Sequence, residues 1–366
     1  MLEWKKLGEV CSFNRGKTIT AKDACDGDVP VIAGGQTPSY FHNESNRIGE
    51  SITVAGSGAY AGFVSYWNQP IFVSDAFTVD PKGPMLHKYL FHWLKMNQQR
   101  IFATQKGAGV PHVHGKDIAN FEIPVPSIAE QTRIVGILDT FTASIENLKQ
   151  QIAQRRKQYE HYRTCFFSND EWEHILVGKL TKIFSCPRVF KDQWQDSGVP
   201  FWRSSDIMSY HNGVKNPRGE VFISQSLYEE LSFKSEKIKE GDILVTGGGS
   251  IGMPYLKTDD SPLFVKDADL ICIQKCSSIV PKYLYHYFLS TDFKLYLKKI
   301  THDATIAHYT INQIKDTPIP VPSLPEQQRI VSILDTFEAS IANLEQQLAQ
   351  RERQYEYYRN KLLTFE

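Results

Sequence analysis

The chain has 366 residues, of which 41% are hydrophobic and 22% are charged, and its 41 basic residues balance its 41 acidic residues. This length exceeds the usual single-domain size of roughly 100 to 200 residues, so we expect at least two domains with separate cores. No window approaches the roughly 18 unbroken apolar residues of a membrane span, and the balanced charge gives no global attraction to nucleic acid or to an anionic membrane.

The N-terminus and the cysteines indicate a reducing compartment. The opening stretch MLEWKKLGEVCSFN has no apolar segment followed by a small-residue cleavage site, which argues against secretion. The cysteines form no CxxC pair and have no adjacent histidine cluster, so neither a zinc site nor a disulfide framework is predicted. We expect a cytoplasmic protein that does not enter a membrane.

Residues 1–122 predict a first domain that mixes strands and helices. Short β-branched and aromatic runs, broken by Gly and Pro, indicate strands at SITVAG, GFVSYW and IFVSDAFTV. One amphipathic helix is predicted around residues 85–102. A loop rich in Gly and His, QKGAGVPHVHGKD, follows it.

Residues 123–170 predict a long helix with a defined start. The Pro-Val-Pro run cannot be helical, and Ser127 with Glu130 has the spacing of a capping box directly after it. Large or apolar residues then alternate at spacings of four and three along a heptad seam: Ile134, Leu138, Phe141, Ile145, Leu148, Ile152, Arg155, Tyr159, Tyr162 and Phe166. Roughly 37 helical residues span about 55 Å, which disfavours a helix packed only on its own domain.

The second half of the chain repeats the first. Residues 123–167 and 319–363 match at about 30 of 45 positions, and weaker similarity joins GESITVAGSGAYAGF to EGDILVTGGGSIGMPY. Residues 171–318 therefore predict a second mixed domain, and residues 319–366 a second long helix with Arg at the same seam position. Because the second helix would have to run back along the first, paired seams would be antiparallel.

The fold prediction is α+β: two mixed α/β domains separated by two long antiparallel helices in a coiled coil, with a pseudo-two-fold internal repeat.

The sequence contains no recognisable catalytic motif. GGGSIG at Gly247 lacks the Lys-Ser/Thr pair of a phosphate-binding loop, and His112 with His114 lacks further metal ligands nearby. The Asn/Asp-Pro-Pro-aromatic motif of adenine or cytosine methylation is missing too. KTDDSPLFVKDAD resembles a nuclease centre only superficially. We expect a non-catalytic chain with no metal and no cofactor of its own.

The chain resembles the specificity subunit of a type I restriction-modification enzyme over essentially its whole length. The strongest marks are the two IPVPSxxEQxRIVxILDTFxASI segments, which resemble the central and C-terminal conserved helical regions of the family. Weaker marks are WKKLGEV at Trp4, VPVIAGG at Val29 and VPFWRSSD at Val199.

The resemblance implies a subunit that reads a bipartite, asymmetric sequence in double-stranded DNA, with one target-recognition domain for each half-site. It also implies docking of two methyltransferase subunits, which in turn recruit restriction (motor-nuclease) subunits. S-adenosylmethionine, ATP and Mg²⁺ would be bound by those partners and not by this chain.

Candidate DNA-binding residues lie in the loops of each domain and carry the side chains that read base edges or hold phosphates. In the first domain they are Arg15, Lys17, Gln36, Thr37, Ser57, Tyr60, Lys106, His112, His114 and Lys116. In the second domain they are Arg203, Ser204, Ser205, Ser250, Thr305, His308 and Tyr309. For each of them the alternative is an ordinary solvated loop side chain.

Candidate partner-binding residues are helix positions outside the seam that match between the two copies. They are Gln131, Arg133, Asn147 and Gln151, with the copies Gln327, Arg329, Asn343 and Gln347. Two equal docking surfaces for one partner would explain the match, whereas solvated helix faces or recent gene duplication are the alternatives. An alternative function is a non-catalytic coiled-coil adaptor whose end domains bind protein or glycan, which the neutral charge would suit.

Overall fold

The computed structural model of the chain describes residues 2–169, 171–214, 219–301 and 308–365. The chain divides into two compact units: unit 1 comprises Met1–Gln150 with Glu345–Glu366, and unit 2 comprises Gln151–Leu344. The division falls inside the two long helices, because each helix packs with part of its length in one unit and part in the other.

The first half of the chain starts with a strand, a short helix and a strand and ends in a long helix. Its elements, in chain order, are β1 (Glu3–Lys6), α1 (Leu7–Val10), β2 (Cys11–Arg15), β3 (Val29–Ile32), β4 (Tyr40–His42), β5 (Glu50–Ala55), β6 (Val64–Asn68), β7 (Phe72–Val73), β8 (Ala76–Pro81), α2 (His87–Met96), α3 (Gln98–Phe102), α4 (Gly115–Ile118), β9 (Glu122–Val125) and α5 (Ile128–Phe167).

The second half follows the same order with additional short elements. They are β10 (His174–Leu176), α6 (Val177–Leu180), β11 (Ile183–Phe184), a 3-10 turn (Lys191–Gln193), β12 (Val199–Trp202), α7 (Ser204–His211), β13 (Phe222–Ile223), α8 (Gln225–Lys234), β14 (Ile243–Thr246), β15 (Pro254–Leu256), β16 (Phe264–Val265), β17 (Leu270–Ile273), α9 (Pro281–Leu289), α10 (Thr291–Ile300), α11 (Ile311–Lys315), β18 (Pro318–Pro320) and α12 (Leu324–Thr364).

Unit 1 is built on an antiparallel sheet in the order β2-β8-β5-β6 and a smaller sheet in the order β4-β3-β7. Strand β5 is buried from Ser51 to Ala55, as expected for β-branched residues in the middle of a sheet. Helix α2 packs on this sheet and contributes Tyr89 and Trp93 to the core. Leu138 of α5 and Leu363 of α12 belong to the same core, so both long helices are part of unit 1.

Unit 2 repeats this plan. Its sheets have the orders β11-β17-β14-β15 and β13-β12-β16, and β10 pairs with β18 as β1 pairs with β9. Tyr283 of α9 packs in one core with Phe167 of α5 and Leu334 of α12. The predicted duplication of a mixed α/β domain is therefore confirmed.

The long helices begin where the sequence predicts. Pro124 and Val125 of the first Pro-Val-Pro segment lie in β9, which pairs with β1, and α5 starts one residue after Ser127. The backbone N–H of Glu130 donates to Ser127 Oγ at 3.3 Å, but the Glu130 carboxylate bonds Arg133. One half of the expected capping box is therefore replaced by an ion pair on the helix surface.

The helix segments run antiparallel within each unit. In unit 1, Phe141 of α5 stacks on Tyr358 of α12 with ring centroids 5.3 Å apart, and farther along α5 Lys149 lies 3.6 Å from Glu352, which precedes Tyr358. In unit 2, Tyr162 of α5 contacts Phe337 of α12 at the same centroid separation, and farther along α5 the Phe166 ring lies 5.5 Å from the guanidinium of Arg329, which precedes Phe337. The predicted antiparallel pairing is confirmed.

The seam position occupied by Arg in both copies is explained by an aromatic partner. The guanidinium of Arg155 lies 5.7 Å from the centroid of the Phe337 ring, and that of Arg351 lies 5.7 Å from the centroid of the Phe141 ring. A cation over a ring face is attracted by the ring quadrupole, so Arg is compatible with an otherwise apolar seam.

Among the described residues, no helix combines the length and apolar character needed to cross a membrane.

Replacement of Leu138 by Ala should destabilise unit 1. Leu138 is fully buried where α5 joins the core, so the substitution removes apolar contacts and leaves a cavity, at a cost of about 2–5 kcal/mol in the free energy of unfolding. Urea denaturation measures the loss. Thr140→Ala, at an exposed position of the same helix, is the matched control with an expected change within about 0.5 kcal/mol. Equal effects of the two substitutions would contradict this packing.

Candidate nucleic-acid interface and helical junctions

Glycine residues bring several predicted loops of unit 1 together. A Cβ at Gly16, between Arg15 and Lys17, would lie 2.2 Å from the carbonyl oxygen of Ser74. A Cβ at Gly34 would lie 2.3 Å from the carbonyl oxygen of Ser57. Only glycine permits these close approaches of two backbones, so these loops meet at one end of the sheet.

The histidine loop joins the same place. The N–H of Gly58 donates to the carbonyl of Pro111 at 3.0 Å, and His112 forms bridges with Ser57 and Lys106. The rings of His112 and His114 are nearly parallel, with centroids 6.3 Å apart. Four predicted loop segments therefore converge in unit 1.

A pocket of about 120 Å³ opens among these loops. Its lining includes Arg15, His112 and His114 from the predicted set, with Phe13 and Asp75 beside them. Asp75 was not predicted, and it accepts a hydrogen bond from the hydroxyl of Ser57.

The other predicted residues of unit 1 lie outside the pocket lining. Lys17, Gln36, Thr37 and Lys116 are exposed, Tyr60 is 46% exposed, and Lys106 pairs with Asp117. Their positions leave them available to a ligand larger than the pocket.

The side chain of Arg203 in unit 2 forms its contacts within its own domain. Its guanidinium Nε lies 3.0 Å from Asp206, its Nη2 donates to the carbonyl of Gly219 at 2.9 Å, and its side chain is only 12% exposed. The guanidinium also lies 5.9 Å from the Trp194 ring. The structure therefore gives Arg203 a structural role at the start of α7.

The remaining predicted residues of unit 2 differ from one another in exposure. The hydroxyl of Ser204 donates to the carbonyl of Asp269 at 2.9 Å, while Ser250 and His308 are exposed. Ser205 Oγ is buried without a hydrogen-bond partner in the part of the chain that the structure describes. Thr305 lies outside the described residues.

Tyr309 does not reach the surface. It is fully buried in the core of unit 2, and its hydroxyl is hydrogen-bonded to Thr317. The expectation that it lies in an exposed loop is wrong, because its neighbours in the core come from sequence-distant elements such as Phe293 of α10.

Sequence reasoning missed an acidic position shared by the two units. The N–H of Gly56 donates to the carbonyl of Asp75 at 3.0 Å, and the N–H of Gly247 donates to the carbonyl of Asp269 at 2.8 Å. Asp75 directly precedes β8 and Asp269 directly precedes β17, so the two residues are structurally equivalent. Direct alignment of VSDAF with VKDAD pairs Asp75 with Asp267, so the equivalence with Asp269 is found only from the structure.

Two of the predicted partner-binding residues are buried, so the prediction that they are exposed is wrong. Gln131 is fully buried, accepts from the N–H of Leu86 at 2.9 Å and donates to the carbonyl of Pro126 at 3.0 Å. Gln327 is also fully buried and accepts from the N–H of Val280 at 2.8 Å. Their identity in both copies follows from satisfying buried backbone groups at the helix start.

The other predicted helix positions are exposed. Arg133 and Arg329 are each 54% exposed and pair with the glutamate three residues earlier. Asn147, Gln151, Asn343 and Gln347 are also on the surface.

A polar junction connects the globular part of unit 1 to both long helices. His92 of α2 is 1% exposed, and its Nε2 lies 3.1 Å from Asp139 of α5. Its Nδ1 lies 3.0 Å from the hydroxyl of Tyr355 of α12. Burial raises the pKa of Asp139, but hydrogen bonds from His92 and Lys88 outweigh burial and leave that pKa below its usual value.

Unit 2 contains the equivalent junction. His286 Nε2 lies 3.2 Å from Asp335, and Nδ1 lies 3.3 Å from the Tyr159 hydroxyl. Glu338 adds a second carboxylate, which accepts a hydrogen bond from Tyr159 at 2.8 Å. The pKa of Asp335 is likewise lowered, since hydrogen bonds from His286 and Lys282 outweigh the opposing effect of burial.

His286, Asp335 and Glu338 lie close enough together to hold a metal ion, as the only such group among the described residues. The ammonium of Lys282, however, lies 2.8 Å from Asp335 and 3.7 Å from Glu338. A cation is therefore already present between the carboxylates, and the arrangement is explained as an ion-pair network.

Comparison with known proteins gives consistent matches. A family model described as the type I restriction modification DNA specificity domain matches residues 1–155 and 169–353. A putative type I restriction enzyme specificity subunit of Haemophilus influenzae is 29% identical over 385 aligned positions, covering 100% of this chain and 96% of that relative. A type I restriction enzyme specificity subunit of Escherichia coli is 26% identical over 408 positions, covering 100% and 94%.

A solved structure shares the fold. The crystal structure of the S subunit of a type I restriction-modification system from M. genitalium matches with a TM-score of 0.65 at 18% sequence identity. The match covers 99% of this chain and 96% of that chain.

Replacement of Asp139 by Asn should destabilise unit 1 in a pH-dependent way. Because the pKa of Asp139 is lowered in the folded state, its carboxylate stabilises the fold above the unfolded pKa of about 3.9, and that contribution is lost as the pH falls through the folded value. Urea midpoints should therefore differ from wild type at pH 7 and converge toward pH 3. Asp26→Asn, in an exposed loop, is the control. A deficit that stays constant from pH 7 to pH 3 would contradict the role of the charge.

Proposed function

Because the chain belongs to the family of type I restriction-modification DNA specificity subunits, we propose that it selects the DNA sequence on which a type I restriction-modification enzyme acts. One observation carries the proposal: the DNA specificity domain matches twice, and each match falls on one copy of the internal repeat. Two recognition domains on one chain suit a target made of two half-sites.

The two half-sites should differ in sequence, so that the target is asymmetric. In unit 1, Arg15 and two histidines line the pocket among the converging loops, whereas at the equivalent place in unit 2 Lys266 pairs with Asp269. Different donors and acceptors at the reading surfaces select different base edges.

Two methyltransferase subunits are the proposed direct partners, one on each copy of the repeated helix surface. Arg133 with Glu130 and Arg329 with Glu326 form the same exposed ion pair at equivalent places. In unit 2 an open groove of about 490 Å³, lined in part by Val331 and Thr336 of α12, adjoins this surface. Restriction subunits would join through the complex, and S-adenosylmethionine, ATP and Mg²⁺ would be bound by these partners.

The chain itself is proposed to be non-catalytic and to work in the cytoplasm. The adaptor alternative, with end domains that bind protein or glycan, is not favoured, because the matching family model describes a DNA specificity domain. The neutral net charge is compatible with DNA binding when basic side chains are concentrated on one surface.

Methylome sequencing of a host that expresses this chain with its methyltransferase partner tests the function directly. We expect methylation at one interrupted, asymmetric sequence. In gel-shift titrations, the complex should retain DNA carrying that sequence and lose affinity steeply as salt rises, because phosphate contacts release counterions. Fragments with one scrambled half-site are the control. Methylation without sequence preference would sink the proposal.

Charge reversal on the helices tests the partner surfaces. Arg133→Glu and Arg329→Glu should each remove one of two bound methyltransferase subunits, and the double variant should remove both, as counted by native mass spectrometry. Lys294→Glu, at an exposed position of α10, is the control. If the double variant still carries two partners, the docking surface lies elsewhere.

A further inference from the structure

The pocket in unit 1 combines a cation, a carboxylate and aromatic walls. Arg15 and Asp75 both line it, together with Phe13 and Phe77. Arg15 is exposed, and no carboxylate in the described part of the chain pairs with its guanidinium. Its planar set of donors is therefore available to a ligand, unlike that of Arg203.

Asp75 is held in place with acceptor capacity to spare. Its side chain is partly buried and accepts one hydrogen bond from Ser57. A carboxylate has about four lone-pair sites, so further donors can still bind it. The pocket is thus lined both by a fixed hydrogen-bond acceptor, Asp75, and by the planar donor group of Arg15.

This pairing favours a base edge over a phosphate. A phosphate would be repelled by the Asp75 carboxylate, whereas a G·C pair presents the O6 and N7 acceptors of guanine next to the N4 amino donor of cytosine in the major groove. Arg matches the guanine edge with two parallel hydrogen bonds, and Asp matches the cytosine amino group.

The equivalent place in unit 2 retains the acid, but the cation beside it is Lys266, whose Nζ lies 2.7 Å from the carboxylate of Asp269, and not an arginine. Asp269 corresponds to Asp75. The β2–β8 register places Arg15 opposite Phe77, and continuing the β11–β17 register by one residue places Ser185 at the corresponding position. The two units therefore present different chemistry at one structural position.

We propose that Arg15 and Asp75 form a reading site for one G·C pair in the half-site recognised by unit 1, and that unit 2 has no such arginine-dependent site. The proposal rests on the proposed DNA-recognition function and identifies a pair of specificity-determining residues within it. The exchange of Arg15 for Ser185, together with the Lys266–Asp269 ion pair of unit 2, contributes to an asymmetric target.

The test measures half-site preference in Arg15→Ser and Arg15→Lys variants, assembled with the methyltransferase partner, by methylome sequencing and by selection from randomised DNA. Both variants should lose roughly ten- to hundredfold discrimination for guanine at one position of one half-site, because Lys retains the charge but not the two-pronged fork. The other half-site, read by unit 2, should not change and serves as an internal control.

Asp75→Asn should weaken the preference for the same base pair, because the amide can turn a donor toward the cytosine amino group. Lys22→Ser, at an exposed position in the same unit, should leave preference unchanged. Urea midpoints check that the variants fold. If the Arg15→Ser variant does not fold, the guanine preference of the Arg15→Lys variant is the test of the reading site.

The outcomes separate the two proposals. A wild-type complex without sequence preference overturns the proposed function. A selective wild type whose Arg15 variants keep their guanine preference overturns only the reading site. Uniform weakening on all sequences, with preference intact, would assign Arg15 to a phosphate and also overturn it.

Discussion

A buried histidine in each unit joins a helix of the globular part to both long helices, and the geometry of the unit depends on that connection. Both ring nitrogens of His92 and of His286 have partners, one on each long helix. Apolar packing is non-directional, so on its own it tolerates small displacements of one helix along another. A displaced histidine would leave a buried polar atom unpaired at a cost of about 1–3 kcal/mol, and the junction therefore defines the register.

The two junctions share a framework and differ in detail. Glu338 of unit 2 occupies the place that Thr142 has in the first copy, and Tyr285 occupies that of Phe91. The added carboxylate of Glu338 is balanced by Lys282 and by the Tyr159 hydroxyl. Divergence after duplication therefore altered polar partners while retaining the His, Asp, Lys and Tyr that hold each globular part to the helices.

Loops on a rigid scaffold can change without loss of the fold, which suits a protein whose target varies. The converging loops of unit 1 are held by backbone contacts at Gly16 and Gly34, and these contacts leave the exposed side chains between them free to vary. The acid is retained in both units, as Asp75 and Asp269. At the position of Arg15, in contrast, unit 2 has Ser185. Exposed loop side chains thereby determine specificity, and the backbone contacts beneath them maintain the fold.

The sequence by itself determined the duplication, the two long helices with their starts at Ser127 and Ser323, their antiparallel pairing and the family. The helices and their starts follow from heptads and caps, which the chain carries locally, whereas the duplication and the pairing follow from comparing the two halves of the chain. Only the tertiary structure decided that Gln131 is buried, that Arg203 is bound to its own domain and that Asp75 and Arg15 line one pocket. The exposure of a polar side chain depends on elements that are distant in sequence and meet only on folding.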